Sequence, residues 1–163
     1  METFYSVQGE GFYSGKPAFF IRVGGCDVGC HWCDVKESWD HGDHEIISVD
    51  EIISNVIGTN LVIITGGEPL MWNMNILTKK LKENKMKVHL ETSGAYKISG
   101  KWDWICLSPK KQKLPENEIY ELANELKIII HNKNDLKFAL QESKKVSKDC
   151  ELYIQPEWGK FEK

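Results

Sequence analysis

Cys26, Cys30 and Cys33 stand in a Cys-x3-Cys-x2-Cys array, preceded by Gly24-Gly25 and followed by Asp34. Three thiolates in so short a stretch can hold one compact metal centre. A 4Fe-4S cube held by three protein ligands keeps its fourth iron open, and an open iron is where chemistry can occur. Structural zinc takes four ligands, commonly as two pairs, and no second Cys-x2-Cys or His-x3-His follows here. His31, His41 and His44 are close enough in the chain to supply a fourth ligand, so a zinc clip is the competing reading. Ligand count favours the cluster.

A reduced cluster with an open iron can chelate the amino and carboxylate groups of S-adenosylmethionine (SAM). An electron passed into the sulfonium then yields a 5'-deoxyadenosyl radical. Such chemistry needs cluster ligands, a cradle for SAM, and a dry pocket that aims one substrate hydrogen at the radical. Gly66-Gly67-Glu68-Pro69 fits the cradle, because glycines let backbone approach the methionine ammonium and Glu68 offers a carboxylate nearby. Arg22 is the only arginine among 21 basic residues. A planar, two-toothed cation suits a carboxylate ligand, with an ion pair at a strand end as the plainer alternative.

The elements that must position these groups follow from periodicity. Strand-favouring runs at Ala18–Val23, Leu61–Thr65, Lys87–Glu91, Trp104–Leu107, Leu126–Ile130 and Glu151–Ile154, of which Leu61–Thr65 is continuously apolar, predict six strands. Helices are expected after Ser48, with Ile52, Ile53, Val56 and Ile57 inward; after Asn73, with Met74, Leu77 and Leu81; from Pro115, with Ile119, Leu122 and Ala123; and after Asp135, with Leu136, Ala139, Leu140 and Val146. Phe4–Tyr13, carrying Gln8-Gly9-Glu10-Gly11, reads as a loop. Alternating strands and helices predict parallel strands with right-handed crossovers. Each strand ends in a cluster of Gly, Pro, Ser, Thr, Glu, Gln or Lys, at the end where barrel-like α/β folds build active sites.

With 163 residues, 41% hydrophobic and 28% charged, the composition is that of one globular domain. A net charge of -3 gives no reason to expect direct nucleic-acid binding. No membrane-length apolar stretch and no signal peptide is visible, so the expected location is cytoplasmic. Clustered cysteines fit a reducing compartment, and Cys106 and Cys150 read as small buried hydrophobes.

The cysteine array with Trp32 before its last member, together with Gly66-Gly67-Glu68-Pro69, resembles the radical SAM superfamily. Gln8–Gly11, Phe20-Ile21-Arg22, Trp32-Cys33-Asp34, Ile64–Pro69, Glu91-Thr92-Ser93-Gly94, Ser108-Pro109-Lys110 and Gln155-Pro156 extend the likeness to the 7-carboxy-7-deazaguanine synthase family, from Tyr5 to about Trp158. The resemblance implies an α/β fold, an incomplete TIM-like barrel of about six parallel strands with outer helices, and a homodimer. It implies ring contraction of 6-carboxy-5,6,7,8-tetrahydropterin to 7-carboxy-7-deazaguanine with loss of ammonia, in queuosine biosynthesis. The implied cofactors are a 4Fe-4S cluster, SAM and Mg2+, with an electron donor such as flavodoxin or ferredoxin. Carried over by motif, Cys26, Cys30 and Cys33 hold the cluster. Trp32, Asp34, Gly67, Glu91, Ser108, Pro109, Lys110, Gln155 and Pro156 bind SAM, and Val7, Gln8, Gly9, Arg22 and Thr65 face the pterin.

Two departures stand out. The family places a threonine or serine after Cys-Asp as a magnesium ligand, and Val35 has no oxygen to offer. Family members also continue past Gln-Pro with a further strand-helix segment, so residues 1–163 are expected to be a single radical SAM domain lacking it. Two alternatives remain: an activase for a glycyl-radical enzyme, and a non-catalytic module whose cysteines form a structural metal clip.

Overall fold

In a computed structural model, which describes residues 2–160, the chain forms one seven-stranded sheet. The strands are β1 (Glu2–Val7), β2 (Pro17–Val23), β3 (Leu61–Gly66), β4 (Lys87–Thr92), β5 (Trp104–Leu107), β6 (Glu125–Ile130) and β7 (Glu151–Pro156). They lie side by side in chain order, with β1 antiparallel to β2 and all later neighbours parallel. The six expected strands are β2–β7. The helices are α1 (Val49–Asn55), α2 (Asn75–Glu83), α3 (Asn117–Leu122) and α4 (Lys133–Glu142). Residues from all seven strands line one cavity, so the sheet curls into an open, partial barrel.

Period-two alternation produces the layers. Phe19 and Ile21 of β2, Val62 and Ile64 of β3 and Val88 of β4 face outward onto Leu77 and Leu81 of α2 and Ile52 and Ile53 of α1. Leu90, Ile105, Leu107, Leu126 and Ile128 continue this layer against Ile119, Tyr120 and Ala123. Each fully buried side chain of this kind contributes roughly 1.5–3 kcal/mol. On the inner face, Ala18, Phe20, Leu61 and Ile63 close the lower barrel with Phe4 and Tyr13. The residues next along those strands, Arg22 and Thr65, are polar and point into the cavity.

Several local expectations are corrected. Phe4 lies on strand β1 rather than a loop, because its ring stacks 5.2 Å from Phe20 across the β1–β2 pair. Asn132, not Asp135, caps α4; Asp135 occupies the third position, and its carboxylate accepts from the amides of His131 and Asn132. Asp135, Phe138, Ala139 and Glu142 face inward, and Leu136 and Leu140 are exposed. Likewise Asn73 accepts from Asn75 one residue ahead of the cap position, which Met74 fills. Pro115 precedes α3, whose inner face uses Tyr120 in place of the exposed Leu122. Ile57 lies beyond α1 and is exposed. The β4–β5 connection contains no helix.

His89 of β4 is buried on the inner face, edge-on to Tyr13 at 4.5 Å and close to Trp104. Burial lowers its pKa from 6.5 to about 4, against the opposing pull of Asp103; Lys87 and Lys82 add to the lowering. The unfolded imidazole takes a proton as pH falls through its ordinary value, while the folded one does not until about pH 4. Stability therefore rises with pH across this window and is lost on acidification. Between pH 7 and pH 5 the His89 contribution is about 1–2 kcal/mol. Urea unfolding should show the wild type losing more stability than His89→Phe over that interval, and an equal loss would contradict this account.

Candidate active site

The cysteine loop leaves β2 and folds back on the segment that follows it. Gly25 N donates to Ser38 O at 2.7 Å, Cys26 N to Trp39 O at 3.2 Å, and Cys33 N to Cys30 O at 3.0 Å. Val28 and Cys30 are buried against Ala95, with Cys26, Trp32, Cys33 and Tyr96 packed around them. Asp27 is held by the Lys113 ammonium at 2.8 and 2.9 Å, and Lys113 also donates to the Tyr96 hydroxyl. The three cysteines are free thiols and line one cavity. Burial pushes the Cys26 and Cys30 thiols up, so binding of a metal centre must displace their protons.

A zinc clip requires donors that converge on one ion. Among the described residues no three His, Cys, Asp or Glu side chains do so. The histidines considered as fourth ligands are engaged elsewhere: His44 Nε2 lies 2.8 Å from Glu37 O, His41 packs on Trp72, and His31 packs edge-on to His131.

Gly66-Gly67-Glu68 lines the cavity and is also tied by hydrogen bonds to the segments around it. Gly67 N donates to Val23 O at 2.9 Å and Glu68 N to Gly25 O at 2.8 Å, so the strap is sewn to the cysteine loop by backbone. A β-carbon on Gly67 would lie 2.2 Å from Gly25 O, and one on Gly66, whose φ is +125°, 2.3 Å from Val23 O. Both glycines serve this close approach. Glu68 is fully buried, and its carboxylate accepts from Leu70 N, Ser93 N and the hydroxyls of Thr92 and Ser93. With those four donors satisfied, the side chain ties the end of β3 to the end of β4.

The cavity, about 580 Å³, runs from the cysteines across the inner face. In register along its wall are Arg22 beside Thr65, with Glu91 on the next strand. Glu91 accepts from Gln8 Nε2 at 2.7 Å and Thr65 Oγ1 at 3.3 Å. Arg22 pairs with Glu2 and sits 5.2 Å over the Phe4 ring, so the strand-end ion pair exists on the cavity wall itself. Lys110 folds back onto the Ser108 carbonyl at 2.6 Å and lies over Trp32. Val7, Gly9, Asp34, Gly67, Gln155 and Pro156 also reach the cavity, whereas Pro109 is buried away from it. Val35 lines the cavity, and its carbonyl accepts from the Ser38 hydroxyl at 2.6 Å. Sequence reading missed Lys127 and gave Glu10 no role; both line the cavity, paired at 2.7 Å. The available signal was Glu125 and Lys127 alternating with apolar residues along β6.

An open α/β barrel with three free thiols at the C-terminal ends of its strands defines the class as radical SAM enzymes. Residues 20–103 match the profile described as the Radical SAM superfamily. The 7-carboxy-7-deazaguanine synthase of Flavobacterium psychrophilum is 55% identical over 163 residues, covering 99% of this chain and 78% of that protein. Its counterpart from Synechocystis sp. is 51% identical, covering 96% and 76%. The crystal structure of QueE from Escherichia coli superposes with a TM-score of 0.87 at 28% identity, covering 99% of this chain and 83% of that one. The chain belongs to the 7-carboxy-7-deazaguanine synthase family. Membership in the superfamily implies a 4Fe-4S cluster and SAM. No helix among the described residues is long and apolar enough to cross a membrane.

Proposed function

We propose that the chain converts 6-carboxy-5,6,7,8-tetrahydropterin to 7-carboxy-7-deazaguanine, the pterin ring contracting as ammonia leaves. The carrying observation is a single cavity with the three thiols at one end and a polar wall containing the lone arginine along the other. Loss of ammonia accounts for every atom, so no net oxidant is consumed. Its volume of about 580 Å³ suits a small molecule and disfavours the activase alternative, whose target is a protein.

Cys26, Cys30 and Cys33 would hold the cluster, which when bound supplies the electron that cleaves SAM to an adenosyl radical. Trp32, Asp34, Gly67, Ser108, Lys110, Gln155 and Pro156 would line the SAM site, with Pro109 supporting its neighbours from behind. Val7, Gln8, Gly9, Arg22 and Thr65 would face the pterin. Glu91, bonded to Gln8 and Thr65, belongs with that group as much as with SAM. Arg22 offers a fork of donors to the substrate carboxylate. The position where relatives of this class would bind magnesium through a hydroxyl offers no side-chain oxygen, because it is Val35 here. We further read the chain as one radical SAM domain that takes its electron from a flavodoxin- or ferredoxin-type donor and works as a homodimer.

Anaerobic reconstitution with iron and sulfide should give a brown protein that forms the deazapurine from the carboxytetrahydropterin, followed by mass spectrometry. Arg22→Ala should raise KM for this substrate by about 10- to 100-fold, the range of a lost charged hydrogen bond, while leaving SAM affinity unchanged. A reconstituted protein that cleaves SAM and leaves the pterin untouched would refute the assignment.

A further inference from the structure

The loop between β1 and β2 reaches across the barrel instead of turning tightly back. Gln8 donates to Glu91 on β4, Phe12 N to Glu125 on β6 at 3.3 Å, and Phe12 stacks on Trp104 of β5. A β-carbon on Gly11, whose φ is +67°, would strike the Glu125 carboxylate. Between these anchors Glu10 enters the cavity, where Lys127 Nζ meets Oε2 at 2.7 Å and Gln155 Nε2 meets Oε1 at 2.7 Å. Lys127 is nearly buried, with 8% of its side chain exposed, whereas Glu10 retains 43% and is open to the cavity.

We propose that Lys127 is a positioning residue for the pterin site: its ammonium fixes Glu10, and the loop carrying it, as an ionised surface that accepts N–H donors from the heterocycle. The inference rests on the function proposed above. A 2-aminopyrimidinone is rich in N–H donors along one edge, and a carboxylate held in place is the complementary acceptor. Lys127 has no other hydrogen-bond partner among the described residues, so Glu10 is the one group its ammonium fixes by direct contact.

The electrostatics agree with this geometry. Burial pushes the Glu10 carboxyl up, but Lys127, with Gln155 and Lys110, outweighs burial and holds it below the ordinary value. Burial also opposes the Lys127 charge, and Glu91, Cys106 and Glu10 overcome it, holding the amine above its ordinary value. These are the titratable groups that bear on the pair from β4, β5 and the loop, with Lys110 beyond β5. Removing the ammonium leaves Glu10 with the upward push of burial and only its weaker partners, so its carboxylate is lost first as pH falls.

The test compares wild type, Lys127→Met, Lys127→Arg, Glu10→Gln and the Lys127→Met/Glu10→Gln double variant as reconstituted enzymes. Lys127→Met should raise KM for the carboxytetrahydropterin by about 10- to 100-fold at pH 7, with kcat within about threefold. As pH is lowered, its KM should begin to climb at a higher pH than that of the wild type, because Glu10 has lost the charge that holds its carboxyl down. Lys127→Arg should recover much of the loss, and in the Glu10→Gln background Lys127→Met should add less than about threefold. Iron content should match wild type in every variant, and any loss of SAM affinity passed on through Gln155 should be smaller than the rise in KM for the pterin. If Lys127→Met fails to fold, Glu10→Gln and Lys127→Arg still decide: a wild-type KM for Glu10→Gln overturns the proposal. So does a Lys127→Met enzyme with unchanged KM, or one whose SAM affinity falls in parallel. Wild-type protein that cleaves SAM without binding the pterin overturns the functional assignment, and this inference with it.

Discussion

Alanine at position 67 is expected to leave the chain folded and to prevent stable cluster assembly. The added methyl would sit 2.2 Å from the Gly25 carbonyl oxygen and 2.7 Å from its carbon, with the Cys26 β-carbon at 3.1 Å. These are backbone atoms, so no rotamer change relieves the overlap. The two segments must separate by about 1 Å to restore ordinary contact. That movement breaks the Glu68 N to Gly25 O bond and shifts Cys26 away from Cys30 and Cys33. A displacement of this size in a catalytic constellation costs about 100-fold in rate. The thiols lie on a loop, and the sheet core beneath them contains none of the displaced atoms, so unfolding should be little affected. Iron and sulfide content after anaerobic reconstitution is the decisive measurement, alongside thermal unfolding of the cluster-free protein. Full iron loading and wild-type turnover in Gly67→Ala would show that the interlock has no such role.

The same pair of glycines shows where sequence reading reaches its limit. Their motif is legible, and so is its proximity to the cysteine loop, because both lie at the ends of adjacent apolar strands. What the glycines are for is not legible, since the groups they approach are the backbones of Val23 and Gly25, about forty residues earlier in the chain. The six parallel strands could be read because each has strand-favouring apolar residues at its centre and turn-type residues after it, whereas β1 could not. Tyr5 on its outer side and Val7 at its cavity end are exposed, and the apolar contact of its inner side is the stack of Phe4 on Phe20. Lys127 was hidden for the opposite reason: β6 reads as apolar, and only the period-two placement of Glu125 and Lys127 on the inner face betrays a polar wall. In α4, the apolar stripe through Leu136 and Leu140 was misleading because the face turned to the core carries Phe138 and Ala139 together with the buried Asp135 and Glu142.

Glu68→Ala should show the converse behaviour to its neighbour, a large loss of stability in the cluster-free protein. The carboxylate is 1% exposed and is the shared acceptor for four donors from two segments. Its removal strands the amides of Leu70 and Ser93, with Leu70 N at 3.0 Å and Ser93 N at 2.8 Å from it, and frees the hydroxyls of Thr92 and Ser93 inside a buried volume. Each unsatisfied buried donor costs about 1–3 kcal/mol, with some recovered where a hydroxyl finds another acceptor or water enters. A net loss of about 3–5 kcal/mol follows, equivalent to roughly 10 °C in Tm for a chain of this size. Glu68→Gln tests whether charge or shape matters: it keeps the volume but turns one acceptor into a donor that faces donors, so it should lie between alanine and wild type. A loss below about 1 kcal/mol for Glu68→Ala would mean that the ends of β3 and β4 are held by something other than this carboxylate. Neighbouring positions in one motif would then divide their tasks: Gly67 sets where the cysteine loop sits, and Glu68 keeps the strand ends beneath it from separating.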